Sequence, residues 1–243
     1  MSDLRIGLVA EGPTDFQVIE GALKAILRRP FVINLLQPEP TRPDLGCGWG
    51  GVFKWCREFR QRGAATIESD PTLSNFDMVI VHLDADVADK RYLDYGEAFG
   101  DVARNLMPLP CAQPCPPANN TVAALEAVLC SWMGIATTGP KSLFCVPSKA
   151  VESWLAAAVL ADGHPLLAGI ECRMDLDTQL ASQPKATRIR KSVREYRSRT
   201  AEVTAQWGRV KARCTQAIEF EKRVCTAVES HGEGFASDLM SLR

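Results

Sequence analysis

A chain of 243 residues with 46% hydrophobic content is large enough for one sizeable domain, or a domain with an appendage, around its own core. Its formal net charge of -1 excludes a general electrostatic pull toward nucleic acid, so any such binding has to come from a local patch. No stretch approaches the ~20 apolar residues that span a bilayer, and MSDLRIGLVAEG lacks a long apolar run after a basic segment. The expectation is a soluble protein with no signal peptide.

Residues 4–10 (LRIGLVA) are a short apolar run that stops at Glu11-Gly12-Pro13-Thr14, which predicts a buried strand. Thr14 is a candidate helix cap, and Asp15 favours the positive end of a helix. Phe16, Ile19, Leu23 and Ile26 recur at spacings of 3, 4 and 3, the stripe of an amphipathic helix that ends near Arg28-Arg29-Pro30. Residues 31–36 (FVINLL) read as a second strand, 37–50 as a Pro/Gly-rich loop, and about 51–63 as a helix. The clearest strand is 76–83 (FDMVIVHL), which runs straight into Asp84-Ala85-Asp86.

Tyr95, Phe99, Val102 and Leu106 form another helical stripe, and MPLPCAQPCPPANN is a second irregular loop. Thr121 is placed to cap a helix carrying Val122, Leu125, Leu129 and Trp132. Residues 142–147 (SLFCVP) are a short strand, after which Ser148 is placed to cap the helix KAVESWLAAAVLA. Strands alternate with helices to about residue 160, which predicts an α/β fold with a largely parallel sheet covered on both faces. From about 185 the pattern is helical only. Ile189, Val193, Tyr196, Thr200, Val203, Trp207, Val210 and Cys214 alternate spacings of 4 and 3, as one long helix or two. The expected organisation is an α/β domain over 1–165 with a helical extension, 166–243, packed on it.

The nine cysteines are odd in number and irregularly spaced, in a chain that needs no disulfide framework, which points to a reducing cytoplasm. Cys111 and Cys115 are the closest pair. No second pair with zinc-ligand spacing follows, and His82, His164 and His231 are scattered, which speaks against structural zinc.

In an open parallel sheet, ligands bind beyond the carboxyl ends of the strands. Glu11 lies there after the first strand, and Asp84 and Asp86 lie there after the strand 76–83. If those strands are neighbours, three carboxylates converge, and carboxylates that close either hold protons or bind a cation. Oxygen ligands alone suit Mg²⁺ or Mn²⁺ rather than zinc. In extended backbone, side chains two apart point the same way, so both aspartates are expected to face one ion. Asp15 and Glu152 are candidates for a second ion, and Lys149 for neutralising a phosphate. Taken singly, Asp15 and Glu152 read equally well as helix caps or solvated surface acids. His82, inside a strand, reads as a packed histidine rather than a ligand. Trp49, Trp55 and Trp154 read as core or loop anchors.

These residues resemble a known family. LVAEGPTD after the first strand and VIVHLDAD after a central one are similar to the Toprim domain of topoisomerases, bacterial primases, recombination proteins and the overcoming-lysogenization-defect nucleases. The signature of that domain is a Glu after the first strand and an Asp-x-Asp after a later one, matched here by Glu11 and by Asp84/Asp86. VPSKAVESWLAAAVLAD resembles a Glu-x-Trp-Leu segment of small stand-alone Toprim-like proteins, often encoded beside AAA-type ATPases in bacterial defence or mobile-element loci. The resemblance covers about residues 4–160. It implies a Rossmann-like sheet and Mg²⁺- or Mn²⁺-dependent hydrolysis of DNA or RNA. It implies site roles for Glu11, Asp84, Asp86 and Glu152. Asp15 matches an acid four residues after the motif Glu in the overcoming-lysogenization-defect nucleases. Tyr92, Tyr95 and Tyr196 lack the context of a topoisomerase nucleophile, and no primase zinc module is visible.

Phosphate binding also needs positive charge. Arg188, Arg190, Lys191, Arg194, Arg197 and Arg199 cluster at the start of the helical region, extended by Lys185, Arg209, Lys211 and Arg213. The cluster is a candidate track for a nucleic-acid backbone, or else a solvated helix face paired with Glu195 and Glu202. Two other functional readings stand beside the nuclease. One is a non-catalytic Toprim-like subunit that regulates an ATPase. The other is a receiver-like phospho-acceptor switch, which normally has two adjacent acids after its first strand where this chain has Glu11 followed by Gly-Pro.

Overall fold

The structure is a computed structural model that describes residues 3–240, with side chains described through 229. The expected α/β fold is present. Four parallel strands, β1 (Leu4–Val9), β2 (Phe31–Gln37), β3 (Met78–His82) and β4 (Ser142–Cys145), form one sheet in the order β2-β1-β3-β4. Alternate residues of the central strands enter different cores, as the two-residue period of a strand requires. Ile6, Leu8, Met78 and Ile80 pack on one face; Val9, Val79 and Val81 pack on the other. Both faces are covered, so the central strands read as continuous apolar runs.

On the first face lie α1 (Pro13–Ile26) and, later in the chain, most of the C-terminal helices. The second face is covered by α2 (Gly48–Gln61) and, after a short α3 (Glu97–Ala103), by α4 (Asn119–Met133). Trp49, Phe53, Tyr92, Phe99 and Trp132 pack there, mostly edge-to-face or tilted and with Trp49 stacked on Trp132, at centroid distances of 4.9–6.5 Å. Trp49 and Trp55 are core anchors, as expected.

After β4 the chain forms α5 (Glu152–Val159), α6 (Leu176–Ala181), α7 (Val193–Ala205), α8 (Trp207–Lys211) and α9 (Thr215–Met240). The helical stripe read over 189–214 is broken twice, at Gln206 and at 212–214. Trp154 of α5 packs edge-on to Trp207 at 5.4 Å and beside Phe220, so α5, α8 and α9 share the core of the first face. α1 and α7 approach so closely that a Cβ on Gly21 would lie 2.9 Å from the Thr200 carbonyl oxygen.

Three expected caps are elsewhere. Gly12 precedes α1, Pro13 is its first residue, and the Asp15 carboxylate accepts the Gly12 N–H at 2.8 Å, so Thr14 lies inside the helix. Thr121 lies within α4 and its hydroxyl bonds Gln113. Ser148 bonds Glu171, and α5 begins four residues later. One disulfide joins Cys115 to Cys172, which departs from the expectation of cysteines without cross-links. No helix among the described residues is long and apolar enough to cross a membrane.

Candidate functional site

β1 pairs with β2 on one side and with β3 on the other, so the crevice beyond the carboxyl ends of β1 and β3 is the topological switch point of the sheet. Glu11 and Asp84 flank it. Glu11 Oε1 accepts the Asp84 N–H at 2.8 Å, which ties the loop after β1 to the loop after β3. Asp84 Oδ1 in turn accepts the Val151 N–H at 2.9 Å and sits 3.2 Å from His82 Nε2. Three loops thus converge on Asp84, which is 7% exposed. His82 is packed, as its position in a strand implies, but its neighbours are acids: Asp15 Oδ2 lies 3.9 Å from its Nδ1, which makes no hydrogen bond among the described residues.

Asp84 and Asp86 do not both lie in extended backbone. Asp84 is the last extended residue, and 85–89 form a 3₁₀ turn, so the expectation from alternating side chains does not hold. They nonetheless line one cavity of about 150 Å³ together with Lys149, Glu152 and Lys191. Lys149 is committed to Asp89, 3.2 Å away, rather than free for a phosphate.

Glu152 opens α5 and is 1% exposed. Its Oε1 receives two donors, the Tyr196 hydroxyl and the Lys191 ammonium, each at 2.9 Å. Its Oε2 is buried with no partner among the described residues. Glu152 is therefore neither a cap nor a solvated acid. A buried carboxylate oxygen without a donor, beside Asp84 and Asp86, suits a hard cation, since all the acids offer oxygen.

The electrostatics follow from the crowding. Burial pushes the Glu11 carboxyl well above its usual range, and the charges of Asp84 and Asp15 add to this against the opposing Asp84 N–H. Burial pushes Asp84 up to about 7, although His82 pulls the other way. Asp15 and Asp86 are raised as well, again first by burial. Burial opposes a charged His82, yet the hydrogen bond and charge of Asp84, with Asp15 and Glu152 beyond, outweigh it and raise its pKa. Lys191 is likewise raised: burial opposes its charge, and the charge and hydrogen bond of Glu152 win.

The basic segment does not act as one stripe. Lys191 turns in to Glu152, and Arg188 donates to the Gln183 carbonyl. Arg199 pairs with Glu202, as the solvated-face reading has it. Lys185, Arg190, Arg194 and Arg197 are exposed, and their side chains make no ion pair among the described residues. Sequence reasoning missed Tyr196 as a site residue, because its place in an apolar stripe marks only a core position. It also missed Arg173, Asp175 and Asp177, which wall the cavity from the segment leading into α6 and from its first turn. That segment carries no motif, so nothing local marks it.

As the side chains stand, no group of three or more His, Cys, Asp or Glu among the described residues is gathered closely enough to hold a metal ion. One oxygen each of Glu11, Asp84 and Glu152 is already engaged, by the Asp84 N–H, by the Val151 N–H with His82, and by Lys191 with Tyr196, while Glu152 Oε2 is not. The His231 side chain, one of the three scattered histidines, lies outside the described residues. Comparison of the chain with protein families, with curated proteins and with solved structures finds no match.

Proposed function

We propose that this chain hydrolyses phosphodiester bonds in nucleic acid with the help of Mg²⁺ or Mn²⁺, at the centre formed by Glu11, Asp84, Asp86, Glu152 and Asp15. The observation that carries the reading is the meeting of Glu11 and Asp84 at the switch point, with Glu152 lining the adjoining cavity and its buried Oε2 unpartnered. A divalent cation bound there would neutralise phosphate charge and activate water. Asp84, Asp86 and Glu152 are the residues that would hold it. Glu11, whose pKa is raised by burial and by the neighbouring acids, is suited to take up a proton as a general base. The exposed Lys185, Arg190, Arg194 and Arg197 are suited to follow a phosphate backbone. The motif resemblance supports the same reading and adds an AAA-type ATPase partner in a defence or mobile-element setting.

One observation favours the non-catalytic alternative, a regulatory Toprim-like subunit: Lys191 already sits on Glu152, where a cation would be needed. The phospho-acceptor reading is disfavoured by Asp84, which is 7% exposed and whose Oδ1 is engaged from two sides. Incubation with plasmid, single-stranded DNA and total RNA, with Mg²⁺ or Mn²⁺ and with or without the product of the neighbouring gene, separates these readings. Cleavage abolished by Glu11→Ala and by Asp84→Ala supports the nuclease. Cleavage that survives both substitutions rejects the site, and no cleavage under any condition favours the regulatory subunit.

A further inference from the structure

Glu152 is held asymmetrically. A carboxylate is planar, so fixing one oxygen with two donors also fixes where the other points. Here Oε1 receives the Tyr196 hydroxyl and the Lys191 ammonium at 2.9 Å each, and Oε2 is left bare. The two donors differ in kind. The Lys191 side chain is 44% exposed, on a flexible stem whose head rotates freely, so it supplies charge but little direction. The Tyr196 ring is 1% exposed and locked by packing, so its hydroxyl supplies direction.

What locks Tyr196 is the seam between α7 and α1. Gly21 lets the two helices meet at backbone distance, where a Cβ would lie 2.9 Å from both the Thr200 carbonyl oxygen and the Val203 Cβ. Thr200 and Thr204 donate their hydroxyls to the carbonyls of Gln17 and Gly21 across that seam, at 3.3 and 2.9 Å. α1 carries Asp15 in its first turn, beside His82 and Asp84. The seam thus sets the Tyr196 hydroxyl, and through it Glu152, relative to the acids at the ends of β1 and β3.

A merely space-filling residue in this position has no use for a hydroxyl. Burying a phenol against one carboxylate is costly unless the bond is made, and phenylalanine fills the same volume without that cost. From this we propose that Tyr196 is a positioning residue of the acidic centre: its hydroxyl fixes Glu152 through Oε1 and so sets where the buried Oε2 points among the acids, and the C-terminal helices therefore complete the site. The inference rests on the cation-binding reading given above. It leaves Tyr196 away from the reacting atoms, acting only through Glu152.

The test is a titration of the full-length protein with MnCl₂ alone, comparing wild type, Tyr196→Phe, Glu152→Gln and Thr204→Val. Tyr196→Phe keeps the ring and its packing, so it folds. Thr204→Val removes a hydroxyl bond from the same seam without touching Glu152. Tyr196→Phe is expected to weaken Mn²⁺ binding about tenfold or more, the usual effect of losing a residue that orients a ligand. Thr204→Val is expected to bind as wild type. Glu152→Gln is expected to lose at least as much as Tyr196→Phe. Mn²⁺ affinity unchanged in Tyr196→Phe overturns the positioning role and leaves the cation site standing. A loss in Tyr196→Phe larger than in Glu152→Gln, or equal to that in Thr204→Val, also overturns it. A wild-type protein that binds no Mn²⁺ fails the cation reading itself, and the positioning role falls with it.

Discussion

The acids at the strand ends and the basic residues of 185–199 carry opposite charges, and they differ more in how they are held than in sign. Asp84 and Glu152 are 7% and 1% exposed, and each has an oxygen held by two partners. Lys185, Arg190, Arg194 and Arg197 lie in solvent, and their side chains form no ion pair among the described residues. Buried charge is expensive unless it is paired or used, whereas exposed charge costs almost nothing and is screened by salt. The acids are thus a structural commitment of the fold, and the exposed cations are free to serve a partner. Lys191 belongs to the basic run by sequence and to the acidic centre by contact.

The largest effect is expected from the seam that joins the two regions. Gly21→Val forces α7 away from α1, because the new side chain meets a backbone carbonyl rather than a flexible tip. Overpacking of this kind costs about 1–3 kcal/mol, read as a lowered urea midpoint with an unchanged slope. Stability equal to wild type would show that the two helices meet more loosely than Gly21 implies.

A sharper comparison uses one substitution at two neighbouring positions. Lys191→Met and Arg194→Met each remove one positive charge from the same segment. Lys191→Met leaves buried Glu152 short of a partner and is expected to cost about 1–2 kcal/mol, less than the full penalty for a buried pair because the lysine is half exposed. Arg194→Met is expected to stay within about 0.5 kcal/mol of wild type. Equal costs in denaturant would erase the distinction between the two regions.

The acidic centre also predicts the sign of a pH effect. Asp84 titrates at about 7 in the folded protein, against 3.8 for the free side chain. Between those values the folded chain holds a proton that the unfolded chain has released, so stability falls as pH rises through that window. The raised pKa of His82 acts in the same direction. The metal-free protein is expected to melt higher at about pH 5.5 than at about pH 8, with a smaller difference in Asp84→Asn. A melting temperature that climbs with pH in the wild type would contradict the crowding.

The smallest effect on stability, with a distinct effect on binding, belongs to the exposed cations. Replacing Lys185, Arg190, Arg194 and Arg197 together with glutamine is expected to leave melting nearly unchanged. It is expected to weaken binding to nucleic acid and to flatten its salt dependence by about one unit of slope for each phosphate that is no longer neutralised. An unchanged salt slope would assign those residues to solvation alone.

Most of the fold is legible in the sequence because its signals are local. The apolar runs at 4–10, 31–36, 76–83 and 142–147 each coincide with a strand to within a few residues, and their alternation with helical stripes gives the parallel sheet. Helix starts are less legible, because Thr14, Thr121 and Ser148 all have capping chemistry and each uses it elsewhere. At the site, Glu11, Asp84 and Asp86 stand out since strand ends are where such folds bind ligands. Tyr196 does not, because a tyrosine in an apolar stripe looks the same whether or not its hydroxyl holds an acid 44 residues away. Lys191 is misread for the same reason: sequence neighbours place it in a stripe, and only the tertiary fold turns it inward. The Cys115–Cys172 link, 57 residues apart, carries no local signal either.

The central claim is that the buried acids form a divalent-cation site, and thermal unfolding with and without Mn²⁺ tests it most directly. A ligand that binds only the folded state raises its melting temperature by mass action. Mn²⁺ is predicted to raise the melting temperature of the wild type markedly, and to leave Asp84→Ala unmoved. No shift in the wild type, or the same shift in Asp84→Ala, would contradict it.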